Sequence, residues 1–164
     1  MELKFELLQK TDIHQLKEIL EEYMESPEQI ELFLQEKQNI AHVAKLGDKV
    51  VGIIYGYSLT RIDARRPQFF IYSVDIHPEY QNRGYGGRFM RYLMDWAAAC
   101  GFGECFVLTH KDNPRACRIY EKAGMRHSEG DCERMYEIQI AEMRSFANAQ
   151  DDTRAQDDTR KDLG

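Results

Sequence analysis

No stretch of about 18 consecutive apolar residues occurs in the chain, which argues against a helical membrane span. Its opening residues, Met1-Glu2-Leu3-Lys4-Phe5, have none of the apolar core of a signal peptide, so a soluble, intracellular and cytoplasmic protein is expected. Cysteine is sparse. Cys100, Cys105, Cys117 and Cys132 show no CxxC spacing, which argues against a zinc site or a disulfide framework and leaves reduced, mostly buried thiols and no metal as the expectation. Positive charge is in deficit: the net charge of −6 disfavours nucleic acid as a partner and suits a cationic one. Two phosphate-binding motifs are also missing. No Lys-Ser or Lys-Thr follows the glycines at 84–87, as a P-loop requires, and a GxGxxG fingerprint from Gly84 would need glycine where Phe89 stands. With 164 residues, 43% of them hydrophobic, the chain can bury one sizeable core and no second one.

What is present centres on residues 69–90, FFIYSVDIHPEYQNRGYGGRFM. An apolar run from Phe69 to Ile76 stops at His77-Pro78 and passes through Gln81-Asn82-Arg83-Gly84-Tyr85-Gly86-Gly87 into a segment of helical periodicity. Strand, glycine turn and helix together hold a phosphate. Glycines allow positive φ and close approach of backbone N–H groups to an anion, and the new helix points its unpaired donors and positive dipole end at the same place. Arg83 and Arg88 add cations there, so a pyrophosphate is expected in this turn.

Around this centre the chain alternates between β and α signals. Residues 3–8 read as a first strand, and Thr11 or Asp12 can cap a helix carrying Ile13, Leu16, Ile19, Leu20 and Tyr23. Ser26-Pro27-Glu28-Gln29 reads as a second helix start with a capping box. Residues 40–46 and 50–59 form a hairpin across Gly47-Asp48-Lys49, with Gly52 and Gly56 marking either a close approach or a bulge. Residues 60–68, with Arg61, Arg65, Arg66 and Pro67, read as an exposed loop, serving either solubility or contact with cofactor phosphate or substrate. After the glycine turn, Phe89, Leu93, Trp96, Ala97 and Cys100 make an apolar stripe closed by Gly101, which assigns Trp96 to the core. Residues 104–109 are a strand, Asn113-Pro114 opens a helix that Gly124 ends, and 134–140 is a last strand. Residues 149–154, AQDDTR, are repeated at 155–160, and a polar repeat has nothing to bury. The expected organisation is a folded domain over 1–144 and a disordered polar tail over 145–164.

The run Gln81-Asn82-Arg83-Gly84-Tyr85-Gly86 resembles, without a gap, the acetyl-CoA signature of the GNAT superfamily of N-acetyltransferases, and Asn113 followed by Tyr120-Glu121-Lys122-Ala123-Gly124-Met125 resembles its second signature, with Met125 for the usual Phe. The resemblance implies a single α/β (α+β) domain: a mixed, mostly antiparallel twisted sheet of six to seven strands flanked by about four helices. It implies acetyl-CoA as cofactor. The main-chain groups of Val74 and Ile76 would grip the pantetheine and the carbonyl, while Gln81, Asn82, Arg83, Gly84, Gly86, Gly87 and Arg88 would wrap the pyrophosphate. Asn113, with Ala116 beside it, would bond the pantetheine arm, and Tyr120 would stand at the thiol as general acid. Helices near the N-terminus would line the acceptor pocket with Tyr23, Glu25, Glu28 and Glu31, or present these as a solvated face. Acetyl transfer to an amine also needs a base to take the ammonium proton. Asp75, charged inside an apolar strand and on the same face as Ser73, is the first candidate for that base against a structural salt bridge; Glu79 is the second.

A narrower resemblance covers most of 40–125 and points to the aminoglycoside 3-N-acetyltransferases: the loop 57–67, Ile71-Tyr72, and Asp112-Asn113-Pro114 ahead of Ile119-Tyr120. That family has an aspartate after Ile-Tyr where this chain has Ser73, so the carboxylate is expected from Asp75. By this resemblance Tyr72, Ser73, Asp75, Asp63, Glu79 and Asp112 would surround a small cationic amine. Other amines, such as a polyamine, a lysine or a protein N-terminus, and a non-catalytic CoA-binding module stay open. Neither nucleic acid nor membrane is expected as a partner. A homodimer is common in the family, with the last strand as the element to exchange.

Overall fold

The computed structural model describes residues 2–20 and 26–126. Among these, β1 (Leu3–Leu7), β2 (Asn39–Leu46), β3 (Lys49–Leu59), β4 (Gln68–Ile76) and β5 (Glu104–Val107) lie side by side in that order. Pairing is antiparallel through β4 and parallel between β4 and β5. Short connections give antiparallel neighbours: Gly47, at φ 61°, turns the β2–β3 hairpin in the left-handed region. The parallel pair needs a crossover, which the helix α3 (Tyr85–Ala99) provides. The sheet is mixed and mostly antiparallel as expected, with five strands among the described residues instead of six to seven. The expected strand at 134–140, Cys132, the domain limit at 144 and the repeat-bearing tail lie outside the described residues, as do Tyr23 and Glu25.

Helices cover both faces. On one, α1 (Ile13–Leu20) and α2 (Pro27–Gln35) bury Ile13, Leu16, Leu20 and Ile30 against Ala41, Val43, Val50 and Ile53. On the other, α3 buries Phe89, Met90 and Leu93 against Val51, Ile54, Phe69 and Ile71, with Ile119 and Tyr120 of α4 (Pro114–Lys122) packed alongside. Each large side chain removed from water here contributes about 1.5–3 kcal/mol, so α3 is anchored mainly by its apolar stripe. Trp96 joins that core, edge-on to His42 and Phe69. Cys100 does not; it is exposed, and Cys105 and Cys117 are half-buried, so the expectation of mostly buried thiols fails for the three free cysteines described.

Helix ends follow the sequence signals with two corrections. Gly101 and Gly124, at φ 81° and 87°, close α3 and α4 as expected of left-handed stops. Ahead of α1 the chain makes a 3-10 turn over Lys10–Asp12 capped by Gln9, whose N–H donates to Asp12 Oδ2 at 3.1 Å. Asp12 thus serves the turn before the helix and pairs with Lys45 at 2.8 Å. Ser26 is the N-cap of α2, but its hydroxyl bonds the Glu28 carboxylate instead of the helix backbone, so the capping box does not form.

The register between β3 and β4 is what shapes the site. It passes from Ser73 opposite Tyr55 to Ile71 opposite Gly56, leaving Tyr72 as the extra residue of a bulge. Gly56 permits this, because a Cβ there would lie 2.0 Å from the Phe70 carbonyl oxygen. Both readings of this glycine, close approach and bulge, are correct. Beyond Ile71, β4 has no pairing with β5 and, among the described residues, continues for the five residues Tyr72–Ile76 against β3 alone. The sheet is therefore open along one edge of β4.

Candidate active site

Backbone alternation decides which main-chain groups face the open edge. His77 N–H donates to the Val51 carbonyl at 2.9 Å, so the main chains of Val74 and Ile76 turn away from β3 and into the opening. Gln81 closes the far end: its Nε2 donates to the Ile76 carbonyl at 2.8 Å, and its Oε1 accepts from Arg115 Nη1 of α4 at 2.7 Å. Gln81 therefore ties β4 to α4 across the opening, and the Ile76 carbonyl, expected to hold a pantetheine, already has this partner.

The glycine turn follows. Asn82 (φ 60°) and Gly84 (φ 77°) take left-handed conformations, Gly84 is the N-cap of α3, and the first turn of α3 carries no acidic residue. Its leading N–H groups have no acceptor within the helix and point where an anion is favoured. Gly86 is needed by packing, since a Cβ would come 3.2 Å from Ile119 Cδ1. Gly87 is not: apart from its own stretch of helix backbone, no described atom lies within 4 Å of the Cβ it lacks. A helical glycine costs about 0.5–1 kcal/mol against alanine, and packing gives this one no return. It fits a backbone kept bare for a ligand phosphate, as the whole turn fits the pyrophosphate of CoA. Arg88 is exposed beside it. Arg83 is drawn back, donating to the Glu79 carbonyl at 2.9 Å with its guanidinium 5.3 Å from the Tyr80 ring centroid.

Asp75 and Tyr120 stand across the opening. Asp75 is half-buried, accepts a hydrogen bond from the Ser73 hydroxyl, and has no ion pair among the described residues. Burial raises its carboxyl above the ordinary carboxylate range against the opposing Ser73 bond. The expected alternative, a structural salt bridge, finds no partner among the described residues. Burial also raises the Tyr120 phenol, and the charge of Asp75 pushes it further, so the two groups feel each other electrostatically. Asn113 caps α4 by accepting from the Ala116 N–H at 3.1 Å, which ties up the oxygen expected to meet the pantetheine.

Other expected site residues do not converge. Asp63 is held by Arg61 at 2.5 Å in the exposed loop that enters β4, and Glu104 of β5 lies beside that loop. β4 is nine residues long, about 3.3 Å each, so this loop with Arg65 and Arg66 stands at the end of the strand opposite the glycine turn and does not serve the pyrophosphate. Glu79 is exposed on the turn past β4, and Asp112 is exposed with His110 Nδ1 at 3.3 Å. Residues unremarked in the sequence share the Asp75 face of the sheet: Tyr55 lies diagonally beside it, and Tyr57 continues the row along β3 with Tyr72 packed against both. The alternation Tyr55-x-Tyr57 was the available signal, but the bulge at Tyr72 that brings these rings together was not readable.

The splayed sheet edge and the bare glycine turn at a helix N-terminus are the features of this fold suited to holding a phosphate-bearing ligand. The chain belongs to the acetyltransferase (GNAT) family, whose model matches residues 11–125. It is 28% identical over 87 residues to N-alpha-acetyltransferase RimI of Mycobacterium tuberculosis, a match covering 52% of this chain and 53% of that protein. The chain thus spans about half the length of this curated relative. Among solved structures, the fold is similar to an aminoglycoside acetyltransferase, meta-AAC0020, from an uncultured soil metagenomic sample (TM-score 0.71, 23% identity, 84% of this chain and 97% of that one). It is similar also to a ribosomal-protein-alanine N-acetyltransferase from Brucella melitensis biovar Abortus 2308 (TM-score 0.71, 16% identity, 85% and 100%). A third is AAC(6')-Iy in complex with a CoA-containing bisubstrate analogue (TM-score 0.70, 14% identity, 85% and 100%).

Proposed function

We propose that this chain transfers an acetyl group from acetyl-CoA to an amine of a small cationic substrate of the aminoglycoside class, with the 3-amino group as the first position to test, by direct attack in a ternary complex. The observation that carries this reading is Asp75, a half-buried carboxylate at the open edge of β4 with no cationic partner among the described residues. Such a group attracts an incoming ammonium, and its raised proton affinity suits it to take the proton that an amine must lose before it can attack. Glu79 is the second candidate, but it stands exposed on the turn past β4 instead of on the Asp75 face of the strand.

Acetyl-CoA, when bound, supplies the thioester. The glycine turn with Arg88 would hold its pyrophosphate, and the Val74 and Ile76 main chains its pantetheine arm; an N–H of this free edge would face the oxyanion that acyl transfer develops. Tyr120 stays protonated at neutral pH because its phenol is raised. Thiols have a pKa of about 8.5, so Tyr120 acts by donating a hydrogen bond to the sulfur, and full proton transfer from it is uphill.

The similarity to a protein N-terminal acetyltransferase favours a second acceptor, the α-amine of a polypeptide. Thiol release from acetyl-CoA, measured with gentamicin-type and kanamycin-type aminoglycosides, spermidine and an N-terminal peptide, separates the two. Turnover with one aminoglycoside that is lost in Asp75→Ala supports the first reading, and turnover with the peptide alone replaces it with the second. No release with any amine, while acetyl-CoA still raises the melting temperature, would leave only a CoA-binding module.

A further inference from the structure

We infer that Tyr55, Tyr57 and Tyr72 form an aromatic seat that binds the acceptor amine as its ammonium ion, with Asp75 as the counter-charge, and so select acceptors by cation–π recognition. The inference deepens the acetyl-transfer reading and rests on it only in taking the Asp75 face as the amine side. Residues directly opposite in an antiparallel pair share a face. Tyr55 lies opposite Ser73, and Ile53 opposite Asp75, which places Tyr55 diagonally beside the carboxylate. The bulge then turns Tyr72 onto the same surface, its ring centroid 5.5 Å from Tyr55 and 5.8 Å from Tyr57.

These rings are braced. Phe33 of α2 meets Tyr55 and Tyr57 edge-on at 5.5 and 5.7 Å, and Phe70 sits 5.9 Å from Tyr72. Tyr72 nevertheless stays 57% exposed, so an aromatic ring is held in place and left open on the face that carries Asp75, a carboxylate with no ion pair among the described residues. A cation within about 6 Å of a ring centroid gains from the ring's negative face, and most when water is excluded. Among the described residues no cation sits over these rings: the cation–π contacts, from Lys49 and Arg83, both fall on Tyr80. Nor does an acidic bowl surround the seat as the sequence suggested, since Asp63 is paired with Arg61 near the other end of β4. One carboxylate and a ring wall fit a single ammonium with the hydrocarbon face next to it.

Choline and 3,3-dimethylbutan-1-ol test this, being alike in shape with a quaternary nitrogen in one and a carbon in the other. Each is titrated calorimetrically into the full chain in the presence of CoA. The seat predicts choline binding at least about tenfold tighter than the neutral isostere, a difference that Tyr72→Leu and Tyr57→Leu each reduce by about threefold or more and Tyr72→Phe retains. Equal affinity for the two probes, no binding of either, or preference unchanged in both leucine variants overturns it. The CoA-induced rise in melting temperature is read in the same samples. With that rise present and no choline preference, the seat falls while the acetyl-transfer reading stands; with no rise, that reading falls and the choline comparison still decides the seat.

Discussion

Gly56 and Asp75 show how single residues set this site. At Gly56 the Phe70 carbonyl occupies the space of a side chain, so Gly56→Ala must push the two strands apart at the bulge. We expect a loss of about 3 kcal/mol, read as a lower urea midpoint, the upper end of what overpacking costs, because the clash is with backbone that cannot rotate away. Asp75 acts through charge. Its carboxyl is raised by burial, so the ionised base is present only above that raised value. The rate should therefore fall as pH drops through it, and Asp75→Asn should abolish both most of the rate and this acidic limb in a pH profile of kcat/KM. An acidic limb that persists in Asp75→Asn would move the base to Glu79.

At the scale of elements, the N-terminus of α3 and that of α4 are built for different purposes. Gly87 lies in α3 with open space where its Cβ would be, so Gly87→Ala should raise stability by up to about 1 kcal/mol while weakening acetyl-CoA. A melting curve and a binding titration on the same variant would show the two moving in opposite senses; a variant that binds acetyl-CoA as before would remove Gly87 from the phosphate site. Asn113, by contrast, spends its side-chain oxygen on the Ala116 N–H. Asn113→Ala should cost about 1 kcal/mol of stability in denaturant unfolding.

Across the whole molecule, the two cores on the two faces of the sheet give it acid sensitivity. His42 is fully buried on β2, with Nδ1 3.2 Å from the Tyr92 hydroxyl and no partner for Nε2 among the described residues. Burial pushes its pKa down to about 4. The unfolded chain then binds a proton near 6.5 that the folded chain refuses until about 4, so this contribution is intact above 6.5 and lost as pH falls toward 4. The loss amounts to about 3 kcal/mol, visible as a urea midpoint that falls from pH 7 to pH 4 and falls less in His42→Leu.

By itself, the sequence determined what short-range physics decides. Glycines at 84, 101 and 124 had to turn the chain at positive φ, Asn113-Pro114 had to start a helix, and the alternating runs had to be strands, because each depends on neighbours a few residues away. The ring of candidates around Asp75 was legible only in part. Asp75 stood out as a charge inside an apolar strand and Tyr120 came from the family resemblance, but Asp63 was assigned to the pocket because sequence gives no distance along a strand. Tertiary structure alone decided that β5 pairs with only the first four residues of β4, which opens the cofactor edge. It also decided that the bulge at Tyr72 brings its ring against Tyr55 and Tyr57 on the sheet face that carries Asp75. Register is a property of two strands at once, and a shift of one residue exchanges every side chain between faces, so neither strand's sequence contains it.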